Sequence, residues 1–160
     1  MRINSLQTKE TMNNETEMFN SIPERLRYNA EVFHGHLGPF LVLGLKAGLV
    51  ANKILGRNPF ETRAIVETEL KPPCSCFIDG IQFSTGCTMG KANIELREKQ
   101  CLSVVFVKNG GSLRLELKRD ILDKLKRITV HEEIRRMALD LSEQPVKELF
   151  IIDSKKTEMI

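Results

Sequence analysis

The segment Phe33-His34-Gly35-His36-Leu37-Gly38-Pro39 and the run behind it constrain this chain more than any other stretch. From Phe40 to Leu55 the sequence is apolar almost all round, and a helix apolar on every side has to be wrapped by other elements. Pro39 suits the first turn of that helix, because its missing N–H is one of the donors without an intrahelical partner. The two histidines therefore lie in a loop at the N-terminus of a buried helix. That position is electropositive and can hold an anion or an activated ligand. Gly56 supplies the stop. Gly44 and Gly48, four apart on one face, predict close packing against another element.

A chain of 160 residues is enough for one domain with a real core. Residues 1–18 are polar with little apolar periodicity and read as a flexible tail; the domain is expected over 19–160. Met1 to Glu17 holds no apolar stretch of the secretory kind, so a cytoplasmic protein with reduced cysteines is expected, in which metal or redox work is favoured over a disulfide framework. Phe40–Leu55 is shorter than the roughly 20 residues of a membrane span, and Lys46, Asn52 and Lys53 interrupt it. The net charge of +3 gives no reason to expect nucleic acid or a membrane as partner.

Along the chain, Ser21-Ile22-Pro23-Glu24 reads as a capping box opening a first helix, with Ile22, Leu26, Ala30 and Phe33 at helical spacing. Arg63 to Leu70 reads as a strand. Lys71-Pro72-Pro73 breaks regular structure, and Cys76 to Phe83 forms a helix whose N-terminal end carries Cys74 and Cys76. Thr85 to Gly90 is a loop by its glycines. Strands follow around Ile94–Leu96, at Leu102–Val107 and at Leu113–Leu117, the last two joined by an Asn109-Gly110-Gly111 turn. Asp120 and Thr129-Val130-His131-Glu132 are expected to cap two C-terminal helices, and Pro145 a last short turn. The order predicts an α+β fold with a mixed sheet and helices packed on it.

His34 and His36 share one side of an extended loop, an arrangement common among metal ligands; the alternative is a pair of loop histidines, one of them buried and hydrogen-bonded. Cys-x-Cys at 74 and 76 is a weaker metal or redox pattern than Cys-x-x-Cys, although a cysteine at a helix N-terminus supplies thiolate readily. Cys76 and Cys87 have Gly, Asp and Thr around them and read as functional, whereas Cys101 beside a central strand reads as packing. Asp79 and Gln82 share a helix face with Ser75 or Cys76, and Lys91 could hold an anionic group. Each of these three alone is more commonly a solvated side chain.

Three stretches in order, His34-Gly35-His36-Leu37-x-Pro39, Cys76-x-x-Asp79-Gly80-Ile81-Gln82 and Thr85-Gly86-Cys87-Thr88-x-Gly90-Lys91, resemble the motifs of the FmdE family, relatives of a component of formylmethanofuran dehydrogenase. The resemblance covers about residues 20–150. It implies a thioredoxin-like α+β core with a mixed sheet of about five strands flanked by helices. It also implies a zinc site at His34, His36, Cys76 and Cys87, with Cys76, Asp79 and Lys91 as catalytic candidates. Two departures stand out. Family members have Cys-Pro-Gly after the second histidine, where this chain has Gly38-Pro39-Phe40, with Cys74 an extra thiol nearby. Many relatives also carry a C-terminal treble-clef zinc finger, which is not expected here because no cysteine follows Cys101.

The first functional expectation is a metal-binding accessory or subunit linked to a molybdenum/tungsten oxidoreductase such as formylmethanofuran dehydrogenase. A free-standing zinc enzyme with an open coordination position and a thiol-redox or metal-delivery protein cycling Cys74 and Cys76 are the alternatives. A homodimer is expected through the Gly44/Gly48 helix or the sheet region.

Overall fold

The structure, a computed structural model, describes residues 21–156; the tail expected over 1–18 lies outside them. The described elements are α1 (Glu24–His34), α2 (Pro39–Leu55), β1 (Arg63–Thr68), α3 (Cys76–Thr85), a 3-10 turn (Met89–Lys91), β2 (Ile94–Glu98), β3 (Leu102–Lys108), β4 (Gly111–Leu117), α4 (Arg119–Lys126), α5 (His131–Glu143), α6 (Val146–Leu149) and β5 (Phe150–Lys156). The strands form one mixed sheet in the order β2-β1-β3-β4-β5, parallel between β1 and β2 and antiparallel elsewhere. This is the expected α+β architecture.

The sheet is amphipathic by the alternation of its strands. Ala64, Val66, Leu102, Val104, Phe106, Leu113, Leu115, Leu117 and Phe150 are buried on the inner face. Glu67, Arg114 and Glu116 stand on the other, where Glu67 pairs with Lys99 and Arg114. Asn109 and Gly110 both take positive φ, 47° and 75°, which gives the two-residue turn the twist that the β3–β4 hairpin needs. The strand that sequence reasoning did not locate is β5. Only its first three residues are apolar, and it lies at an edge of the sheet, where burial imposes little pattern.

Helix α2 is the core element, buried at twelve of its positions and in contact with α1, α3, α5, β3 and β4. Its glycine face is used inside the chain. A Cβ on Gly44 would sit 2.2 Å from the Phe77 carbonyl oxygen, and one on Gly80 of α3 would sit 2.3 Å from the Leu41 carbonyl oxygen. The two helices cross backbone to backbone, so the route to a dimer through the Gly44/Gly48 face is closed. The expected capping boxes also differ. The residues preceding α1, α4 and α5 are Pro23, Lys118 and Val130, and none caps its helix with a side chain. Ile22 instead fixes the start of α1 by donating its N–H to the Ser142 carbonyl at 3.1 Å.

One charge is buried in α2. Lys46 is 2% exposed, and its Nζ donates to the Gln144 carbonyl at 2.5 Å, just past the end of α5. Burial pulls its pKa from 10.5 down to about 8, against the opposing pull of Glu143. The folded value lies below the unfolded one, so between pH 8 and 10.5 the unfolded chain binds more protons. Stability from this group therefore rises with pH across that window. The buried thiols act oppositely above about pH 9, since burial raises them. The expected result is thus a difference: urea titrations from pH 7 to 10 should show the parent gaining on Lys46→Met by up to about 3 kcal/mol. Parallel curves for the two proteins would contradict a strained ammonium.

Candidate metal centre

The His loop forms because α1 ends on it and α2 begins from it. Gly35 closes α1 with φ 103°, a conformation that suits glycine, and its N–H returns to the Glu31 carbonyl at 2.7 Å. Gly38 then leads into Pro39 at the first position of α2. The close crossing of α2 and α3 brings the N-terminal part of α3 beside this loop, and the two motifs meet there.

His34 Nδ1 donates to Asp79 Oδ2 at 2.6 Å, because an ionised carboxylate only accepts. The opposite ring nitrogen, Nε2, is buried and has no hydrogen-bond partner among the described residues. Asp79 is itself steadied by Gln82, whose Nε2 lies 3.4 Å from Asp79 Oδ1 and whose Oε1 accepts from the Met89 N–H at 3.0 Å. The His36 ring lies 4.8 Å from the His34 ring, centroid to centroid. Burial first, then the charge of His34, pushes the His36 pKa below its ordinary value, which favours the neutral ring that can ligate a metal.

His36 and Cys76 line one cavity of about 80 Å³, together with Gly38, Pro39, Phe40, Pro73, Leu125, Ile128 and Ile134. Burial raises the Cys76 thiol, with the Asp79 and Cys74 charges acting in the same direction. Its position at the start of α3 therefore does not make it a ready thiolate. The first N–H groups of that helix are already spent on the carbonyls of Pro73, Cys74 and Ser75. Cys74 is buried, and its thiol is raised by burial and by Glu69; it does not line the cavity.

The fold thus joins His34 to Asp79, sets the His36 ring beside the His34 ring, and lines one cavity with His36 and Cys76; Cys87 and Lys91 do not line that cavity. Helix α3 is about 15 Å long, and Cys87 follows its far end. The Cys87 thiol is fully buried and donates to the Thr62 carbonyl at 3.4 Å. Lys91 Nζ bonds Thr88 Oγ1 at 2.9 Å and lies 6.0 Å from the centre of the Phe60 ring. Among the described residues no three His, Cys, Asp or Glu side chains are drawn close enough to hold a metal ion. The donor chemistry nevertheless suits one. A histidine oriented by a carboxylate through Nδ1, with a bare and buried Nε2, is the arrangement that supports metal-bound imidazole. The cavity walls Leu125, Ile128 and Ile134 were not foreseen as site residues, because at the level of sequence they belong to ordinary apolar stripes.

This is an α+β domain with a His/Cys cleft where two helices begin. It matches the family model described as "FmdE, Molybdenum formylmethanofuran dehydrogenase operon" over residues 33–151, and the chain belongs to that family. A solved structure, that of a tungsten formylmethanofuran dehydrogenase FmdE-like protein from Syntrophus aciditrophicus, shares the fold. The TM-score is 0.54 at 21% identity, over 84% of this chain and 72% of that one. A relative from Archaeoglobus fulgidus, described as a probable S-adenosyl-L-methionine-binding protein, is 29% identical over an alignment of 122 residues that covers 68% of this chain. The match spans 33% of that relative's length. No helix among the described residues is long and apolar enough to cross a membrane.

Proposed function

We propose that this protein is a metal-binding domain serving a molybdenum- or tungsten-dependent oxidoreductase of the formylmethanofuran dehydrogenase type. It holds zinc through His34 Nε2, His36 and Cys76, with one position open. The observation that carries this reading is the buried, unpartnered Nε2 of His34 on a ring held from behind by Asp79. An unpaired polar atom in a protein interior is uncommon, and a ligand supplies its partner. The family membership supports the link to the oxidoreductase. Three protein ligands with a free fourth position make a reactive site rather than a structural one. Bound there, the metal would act as a Lewis acid toward a small oxygen-bearing ligand.

S-adenosyl-L-methionine binding, as in the description of the archaeal relative, has less support at this site. A cavity of about 80 Å³ is small against the roughly 300–1,000 Å³ of pockets for ligands of that size. Self-association belongs to the proposed reading through the sheet region, where the edge strand β5 leaves Ile151 61% exposed. Light scattering above the monomer mass of 18.2 kDa checks it.

The test is zinc titration against a competing chelator. Cys76→Ser should lose roughly tenfold to a hundredfold in affinity, while Cys87→Ser keeps the parent affinity. Cys87→Ser losing as much as Cys76→Ser would mean that the far thiol reaches the metal and that the assignment is wrong.

A further inference from the structure

A second cleft, which the metal reading leaves unused, lies at the far end of α2. That helix has 17 residues and is about 25 Å long, so the His36/Cys76 cavity and this cleft stand at its opposite ends. The cleft lies between Ile54 and Leu55 and the end of the sheet, where Gly111 pairs with Lys156. Its volume is about 360 Å³, against the roughly 300–1,000 Å³ of pockets for small organic molecules. Ile54 and Leu55 are only half-buried and give it an apolar floor. Gly111 keeps that floor open, since a Cβ there would lie 3.6 Å from Leu55 Cδ2.

The charges of the wall have one sign. Lys108, Lys155 and Lys156 line the cleft, and no Asp or Glu does. Strand alternation puts Lys108 on the helix side of the sheet with Val104 and Phe106, and Lys156 there with Phe150 and Ile152. By the same rule Lys155 stands at the rim. Lys108 Nζ donates to the carbonyls of Leu55 and Gly56, at 3.0 and 3.1 Å. It thereby offsets the negative end of α2, the one feature that would repel an anion. An ammonium has three donors, so one N–H of Lys108 is left for a ligand. The Lys156 side chain has no hydrogen-bond or ion-pair partner among the described residues. It stands opposite a glycine and beside a hydrocarbon floor, where a charge is screened less than in open water.

We propose that this cleft binds a phosphomonoester of an aromatic or other ring-bearing alcohol, its phosphate between Lys108 and Lys156 and its ring on Ile54 and Leu55. A phosphomonoester carries about two negative charges near neutral pH, one for each ammonium on the helix side. The floor favours an ester with an apolar body over inorganic phosphate.

Isothermal calorimetry on the full chain would compare naphthyl phosphate with naphthol, naphthoate and inorganic phosphate. Naphthyl phosphate should bind, and the other three at least about tenfold more weakly. Lys156→Glu should weaken naphthyl phosphate by about tenfold or more, and Lys155→Ala by less. Both replace exposed side chains, so their circular dichroism should stay that of the parent. His34→Ala, at the other end of α2, should bind naphthyl phosphate as the parent does, whatever it does to zinc. Naphthol or inorganic phosphate binding as tightly as naphthyl phosphate, Lys156→Glu at parent affinity, or no heat at millimolar concentration would overturn the inference. Sedimentation with phosphatidylcholine vesicles containing phosphatidic acid separates a soluble ester from a lipid headgroup. The protein should stay in the supernatant; co-sedimentation that Lys156→Glu abolishes would overturn the soluble ligand.

Discussion

Gly80→Ala should remove a large share of this protein's stability, and Gly44→Ala nearly as much. The methyl added at Gly80 would lie 2.3 Å from the Leu41 carbonyl oxygen, 2.7 Å from the Leu45 nitrogen and 2.8 Å from the Gly44 Cα. All three are backbone atoms of α2, so no side chain can rotate away; the helices would have to part. Helix α2 is also packed on α5 and the sheet, so parting them would open contacts on its other sides. Overpacking against backbone at a site like this costs on the order of 3–5 kcal/mol, of a total near 5–15 kcal/mol for a domain. The better helix propensity of alanine returns about 1 kcal/mol. Gly48→Ala should be milder, because the nearest atom is the Ser84 hydroxyl at the tip of a side chain. Gly90→Ala is the control: its Cβ would meet only Thr88 Oγ1, at 4.0 Å, and should change stability by less than about 0.5 kcal/mol. Urea denaturation measures all four. A Gly80→Ala midpoint equal to the parent's would mean that the helices do not cross as closely as described.

His34→Ala should reduce zinc affinity more than any other single change, on the order of a hundredfold or more. It removes the one ligand atom that is buried, bare and held in orientation. Asp79→Ala keeps His34 but releases its ring, and should cost about tenfold to a hundredfold. His34 is the last residue of α1, so both variants should fold, and circular dichroism confirms that before the titration. Zinc binding by His34→Ala at parent affinity would show that Nε2 is not a ligand and would remove the main support for the metal centre. The pair also separates two roles for Asp79. A carboxylate that acts only by holding His34 has nothing left to do once the ring is gone, so the double variant should bind zinc no worse than His34→Ala. A further loss would assign Asp79 a direct role at the metal.

Most of the elements, and the two halves of the proposed centre, are legible in the order of residues along the chain. The apolar run from Phe40 to Leu55 could only be a buried helix, and Pro39 and Gly56 mark its ends. The His loop and the Cys76 helix read as two halves of one site, because glycine, proline and cysteine mark backbone positions that local chemistry fixes. The fifth strand is not legible in this way, since an edge strand needs few apolar residues.

Which of the marked residues meet is settled by packing. Cys87 and Lys91 belong to the same motif series as Cys76 and Asp79, and nothing in their spacing says that the Cys87 thiol turns to the Thr62 carbonyl and the Lys91 ammonium to Thr88. Spacing along the chain fixes distances within an element but not the direction in which the chain leaves it. The Gly44/Gly48 face is the same case. Its spacing announces a close contact, and a helix of this chain or a second copy would satisfy that pattern equally. Gly80, with no side chain to hold α3 away from α2, decides for the first. The bare Nε2 of His34 lies furthest from the reach of sequence. Every residue carries donors and acceptors, and only packing determines which of them are left in the interior without a partner.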